Sequence, residues 1–157
     1  MVVLNDLFHW MREAIREAET GALSGEVPVG AIVLSADGRV LAQNHNRPIS
    51  RCDPTAHAEI LALREAGARI QNYRLAGSTL VTTVEPCLMC MGAIIHARVS
   101  RLVFGTQDPK GGAAGSIYDL PRDPRLNHRM EVVSGILEAE CRAMMVSFFE
   151  KRRENRE

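Results

Sequence analysis

The chain has no excess of either charge: 19 Lys and Arg residues balance 19 Asp and Glu residues, a formal net charge of zero. That removes any global electrostatic case for a nucleic-acid partner. Lysine is nearly missing, since Lys110 and Lys151 are the only two and arginine supplies the remaining cations. Arginine suits bidentate phosphate contacts, although a coding bias would give the same composition. No stretch approaches the roughly 18 apolar residues that a helical membrane span requires. The N-terminal segment "LNDLFHWMREAIREAETGAL" carries charges between its apolar positions, unlike the apolar core of a targeting signal. The four cysteines (52, 87, 90 and 141) do not form the framework of a small secreted protein. The expectation is a cytoplasmic protein. Neither internal repeats nor a linker interrupts the 157 residues, which are enough for a proper core, so residues 1–157 read as a single domain.

What is present alternates between strand and helix. Leu4, Phe8, Met11, Ile15 and Ala18 recur at helical spacing in the first segment. "EVPVGAIVL" (26–34) and "RVLAQN" (39–44), joined by "SADG", predict a β-hairpin. The loop "HNRPISRCDP" leads into "DPTAHAEILALREAG" (53–67), a helix for which Asp53 offers an N-cap, Pro54 a first position and Gly67 a stop. "STLVTTVEP" (78–86) predicts a third strand and "PCLMCMGAIIHAR" (86–98) a helix starting at its proline. "SRLVFG" (100–105) and "RMEVVSG" (129–135) predict two more strands, separated by the glycine-rich loop 106–128. A loop of that length is usually either functional or disordered. A closing helix ends in "EKRRENRE". This alternation predicts a three-layer α/β/α sandwich around a five-stranded mixed sheet, with the hairpin antiparallel and the later strands partly parallel.

The chemistry concentrates at two helix starts. Cys87 and Cys90 lie three residues apart, where unpaired N–H groups and the positive end of the helix favour thiolates. Two such thiolates suit zinc. A redox Cys-x-x-Cys pair is the rival reading, but no thioredoxin-like pattern surrounds it. His57, also at a helix start, offers a third ligand. Three protein ligands leave a tetrahedral position for water, as in catalytic zinc sites. Glu59 would then sit beside the metal without binding it, placed to move protons. A closed structural site would need a fourth ligand from Cys52, His45 or His96.

His-x-Glu followed by Pro-Cys-x-x-Cys is the signature of zinc deaminases acting on nucleobases. Beyond it, "EVPVGAIVL", "NRPISRCDPTAHAEILALREAG", "NYRLAGSTLVTTVEPCLMCMGAIIHARVSRLVFGTQDPKGGAAGS" and "NH" resemble, in order and at near-family spacing, the bacterial tRNA-specific adenosine deaminases. "SFFEKRR" resembles that family's C-terminal helix. The resemblance implies a cytidine deaminase-like fold, a homodimer, and conversion of adenosine to inosine at the wobble position of a tRNA anticodon, typically of an arginine tRNA. It also implies one zinc per chain on His57, Cys87 and Cys90, with Glu59 as proton shuttle. Asn46 would contact the flipped base, while Asp108, Lys110, Phe149 and Arg153 would contact flanking nucleotides of the anticodon stem-loop. Asp108 is anionic, so a ribose hydroxyl is its better partner, whereas Lys110 can pair with phosphate. Met91 stands where the family usually has a small residue, and "LVTTVEPC" replaces an aromatic-containing strand; both positions read as packing or dimer contacts.

Two other readings share these motifs. One is a deaminase of a free base or nucleotide (guanine, cytosine or deoxycytidylate), which the zinc motif does not exclude. "NRPI", "DPKGGAAGS" and "FFEKRR" favour tRNA instead. The other is an RNA-binding or zinc-structural protein without catalysis, against which the intact Glu59 argues.

Overall fold

A computed structural model describes residues 2–156 of the chain. The elements follow in the order α1 (Leu4–Leu23), β1 (Gly30–Leu34), β2 (Val40–His45), α2 (Pro48–Arg51), α3 (Ala58–Ile70), β3 (Thr79–Val84), α4 (Leu88–His96), β4 (Arg101–Thr106), β5 (Glu131–Ser134) and α5 (Glu138–Glu154). The sheet runs β2-β1-β3-β4-β5. β1 is antiparallel to both β2 and β3, and β3, β4 and β5 are parallel. The five-stranded mixed sheet and its helices match the expected cytidine deaminase-like architecture.

Alternating side chains separate two apolar layers, because successive residues of a strand face opposite sides. Ala31, Val33, Leu80, Leu102 and Phe104 join Ala58, Ala62, Met91 and Ile94 from α3 and α4 on one face. Ile32, Leu34, Val81 and Val103 join Leu7, Met11, Ala14 and Cys141 from α1 and α5 on the other. Met91 is fully buried, so it packs the core and is not a surface dimer contact.

The seating of α1 differs from the periodic reading. Leu7, Met11, Ala14, Ala18 and Gly21 face the core, whereas Leu4 is exposed. The cause is close approach: a Cβ on Gly30 would collide with the Ala14 carbonyl oxygen. Ala14 and Ala18 therefore face Gly30, and Phe8 and Ile15 pack at the edge of the core, partly buried.

The helix ends also move. α3 begins at Ala58 with His57 as its N-cap, not at Asp53 and Pro54. Asp53 instead closes a turn, its Oδ1 accepting the Thr55 N–H at 2.8 Å and the Thr55 hydroxyl at 2.7 Å. Gly67 does not stop the helix. It lies inside, its carbonyl accepting the Asn72 N–H at 3.0 Å, while Gln71 takes the left-handed conformation that ends α3. α4 starts after Pro86, at Leu88, with Cys87 as N-cap. The glycine-rich loop is held by isolated bridges, Cys87 to Gly112 and Ala114 to Asp119, and contains a 3-10 turn at Leu120–Arg122.

Candidate metal centre and active site

Both predicted ligand helices deliver their ligands from the same structural position. His57 and Cys87 are the N-caps of α3 and α4, with extended backbone (φ −72°, ψ 151° and φ −73°, ψ 175°), and neither side chain caps its own helix. An N-cap side chain normally folds back to accept an N–H of the first turn. Here both side chains project away from their helices toward each other. The N–H of Ala58, the first residue of α3, donates to Asn46 Oδ1 at 2.8 Å.

His57 presents Nδ1 to both sulfurs, 3.6 Å from Cys87 Sγ and 3.5 Å from Cys90 Sγ. The three donor atoms lie within 4.8 Å of one another, and among the described residues neither Cys52, His45 nor His96 joins them. His45 is instead paired with Glu17 at 3.0 Å. One imidazole nitrogen and two sulfurs form a borderline-soft donor set that suits zinc and is unsuited to magnesium or calcium. Three protein donors also match an open catalytic site better than a closed structural one.

The electrostatics of the cluster agree. The Cys87 thiol is brought down to about 4, first by the hydrogen bond from Cys90 and also by His57. Cys90 is pushed up, first by its bond to Cys87 and then by burial. His57 is raised by its hydrogen bond with Cys87. The pair thus holds one negative charge on Cys87, ready for a cation. Glu59 lies in the first turn of α3, 4% exposed, outside the ligand group. Burial raises its pKa above the ordinary carboxylate value, which suits a carboxyl that carries a proton.

Asn46 is buried beside this pocket; with Oδ1 engaged by Ala58, its amide hydrogens remain to donate. Asp108, Lys110, Phe149 and Arg153 come together at a different place. They line a groove of about 810 Å³ between the loop after β4 and the second half of α5. Lys110, Phe149 and Arg153 are exposed there. Asp108 Oδ1 accepts the N–H groups of Lys110 (3.1 Å) and Gly111 (3.2 Å), so its carboxylate shapes the loop that carries it.

The sequence reading missed Arg142, Arg152 and Arg156, which line the same groove. Their recurrence with Phe149 and Arg153 at helical spacing was the available signal. It also missed two buried carboxylates, Glu26 and Glu85. Glu26 Oε1 accepts the N–H groups of Ile49 (2.9 Å) and Ser50 (3.1 Å), closing the loop that follows Asn46. Glu85 comes directly after the last residue of β3, and nothing in "STLVTTVEP" marks it for burial.

Comparison with known proteins agrees with this geometry. Residues 5–106 match the cytidine and deoxycytidylate deaminase zinc-binding region. The chain is 48% identical over 146 residues to a tRNA-specific adenosine deaminase of Haemophilus influenzae, covering 93% of this chain and 84% of that one. It is 45% identical over 147 residues to the Bacillus subtilis protein of the same name, covering 94% and 91%. A structure from a study of A-to-I editing by tRNA:A34 deaminases superposes with a TM-score of 0.83 at 43% identity, covering 87% of this chain and 98% of that one. A guanine deaminase from Nitrosomonas europaea superposes with a TM-score of 0.74 at 27% identity, covering 88% and 81%. The chain belongs to the zinc-binding cytidine and deoxycytidylate deaminase family, and within it to the tRNA-specific adenosine deaminases.

Proposed function

We propose that this protein hydrolytically deaminates adenosine to inosine at the wobble position of a tRNA anticodon, water replacing the amino group at C6 and ammonia leaving. The observation that carries the reading is the convergence of His57, Cys87 and Cys90 beside a buried Glu59. This occurs in a chain 45–48% identical to tRNA-specific adenosine deaminases. His57 Nδ1 and the two sulfurs would hold one zinc. When bound, zinc lowers the pKa of a coordinated water to about 7 and so supplies a nucleophile at neutral pH.

The protein's own residues do the rest. Glu59 takes a proton from the attacking water and gives it to the ring nitrogen adjacent to C6, then takes the second proton of that water from the new C6 hydroxyl and gives it to the departing amino group. Asn46, its amide held by Ala58, donates to an acceptor of the flipped base. Target adenine must leave its stack to reach the pocket, which an anticodon loop permits and a duplex resists.

The groove supports a polynucleotide substrate. Lys110 and Arg153 would meet phosphates, Phe149 would stack, and Asp108 would take a ribose hydroxyl. An arginine tRNA is the preferred substrate in this reading, and the site of action is the cytoplasm. The chain would work as a homodimer, for which exposed Ile49, Leu88 and Met89 beside the ligand helices offer apolar contact.

The likeness to a guanine deaminase favours one second reading, deamination of a free base. Incubation with an anticodon stem-loop bearing wobble adenosine, and separately with free guanine, cytosine and deoxycytidylate, separates the two. Inosine in the RNA is expected; turnover of a free base or nucleotide without turnover of the RNA overturns the reading.

A further inference from the structure

We propose that Glu85 is a positioning residue that locks Asp108 and Lys110 against the strand leading into Cys87, and thereby sets affinity for the nucleotides flanking the target base. The inference rests on the tRNA reading above. Glu85 is 3% exposed and follows the last residue of β3. Its carboxylate accepts the backbone N–H groups of Asp108 (3.2 Å), Ala114 (3.0 Å) and Ser116 (3.1 Å), together with the Ser116 hydroxyl. These partners are N–H and O–H groups of a single loop, and both carboxylate oxygens are used.

A buried carboxylate is costly to desolvate unless its acceptor sites are filled. Here the loop fills them, so the charge and the loop conformation stabilise each other. The backbone on either side ties the same two segments. Glu85 N–H donates to Thr106 O at 2.8 Å, and Ala113 N–H to Pro86 O at 2.8 Å. Gly112 has no room for a side chain, because a Cβ would collide with the Glu85 carboxylate. Asp108 then passes the constraint onward through its bonds to the Lys110 and Gly111 N–H groups. Glu85 is outside the ligand group, so the link between metal pocket and RNA groove is mechanical: one side chain fixes how far the groove loop stands from Cys87.

Glu85→Gln retains the shape but offers one acceptor oxygen in place of two, and turns its amide hydrogens toward N–H donors. Ser116→Ala removes only the hydroxyl partner. With the anticodon stem-loop as substrate, Glu85→Gln is expected to raise KM about tenfold with kcat within about threefold, consistent with loss of a charge-assisted hydrogen bond. Ser116→Ala should raise KM about threefold. Both variants should keep one zinc per chain by metal analysis. Amide exchange at Asp108, Ala114 and Ser116 should quicken at least about tenfold in Glu85→Gln, with the β3 amides unchanged.

Wild-type KM in both variants overturns the proposal. So does a fall in kcat that tracks zinc loss at constant KM, which would assign Glu85 to support of Cys87. If Glu85→Gln does not fold, Ser116→Ala decides by the same KM criterion. The two readings fail separately. A wild-type protein inert on the stem-loop defeats the tRNA reading, whereas unaltered amide exchange in folded Glu85→Gln defeats the anchoring whatever the substrate.

Discussion

The metal pocket and the groove beside it are built in opposite ways. The pocket hangs on two helix N-termini whose caps, His57 and Cys87, have given up capping to face one another. Its groups are buried or half-buried and tightly coupled. The groove has a loop without regular secondary structure on one side and the exposed face of α5 on the other. Of α5, Cys141 is the one fully buried residue. A pocket that must hold a metal and align a water with the target base gains from rigid supports, since small displacements spoil chemistry. A groove proposed to receive a polymer gains from exposed cations and stacking surfaces, each of which contributes a little. The pocket should therefore respond to single changes by losing activity outright, and the groove by graded changes in affinity.

The largest effect is expected at Glu59. Glu59→Ala should retain about one zinc per chain yet lose activity by about a thousandfold or more, within the range for a general acid–base group. Metal analysis alongside turnover checks this. Loss of zinc together with activity would make Glu59 a ligand and merge the two roles. Next is metal removal. In the stripped protein Cys87, at about 4, is a thiolate throughout the neutral range. Its alkylation by iodoacetamide should be nearly flat from about pH 5.5 to about pH 7.5, where an ordinary thiol gains about tenfold per pH unit. Restored zinc should protect it. Steeply rising alkylation of the stripped protein would show that the two sulfurs do not share a proton as the geometry requires.

The same contrast decides what was legible in the sequence. The grouping of His57 with Cys87 and Cys90 could be read because Cys-x-x-Cys spacing is local and, with His-x-Glu, completes a known zinc signature. The sheet could be read as well, because β1, β3 and β4 each carry short β-rich runs between turn residues. The caps of α3 could not. Asp53 and Pro54 carry good start signals, but the Asx turn they make delays the helix to Ala58, which is what leaves His57 at the cap. Nor could the face of α1, since the steric demand at Gly30 comes from a segment distant in sequence. Glu85 is the clearest case. Its four partner groups lie 23 to 31 residues away, and nothing local says that a glutamate just past the end of β3 will be enclosed by a loop.

On the groove side, effects should be smaller and salt-dependent. Lys110→Ala and Arg153→Ala should each raise KM for the stem-loop several-fold, about three- to tenfold, and lower the slope of log affinity against log salt by about 0.7 for a single-stranded contact. Neither should alter zinc content. Each lies on the exposed groove lining, so melting temperature should barely move. A large fall in kcat at constant KM would instead make the groove part of the chemistry and erase the contrast with the pocket.

Asp108 is the finest test, because it builds the loop and, under the proposed function, also meets the RNA. Its Oδ1 accepts the N–H groups of Lys110 and Gly111, bonds that an asparagine carbonyl can make equally well. Asp108→Asn should therefore leave the loop and the melting temperature nearly unchanged, within about 2 °C for a domain of this size. What it removes is the charge. A ribose hydroxyl donating to a carboxylate makes a bond roughly twice as strong as one to a neutral carbonyl, so turnover of the RNA stem-loop should fall about threefold. The same comparison with a deoxyribose at the flanking nucleotide removes the donor, and the difference between aspartate and asparagine should vanish with it. A difference that persists on the deoxy substrate would mean that Asp108 acts through its charge on the phosphates. A melting shift without a kinetic one would leave it a loop residue only.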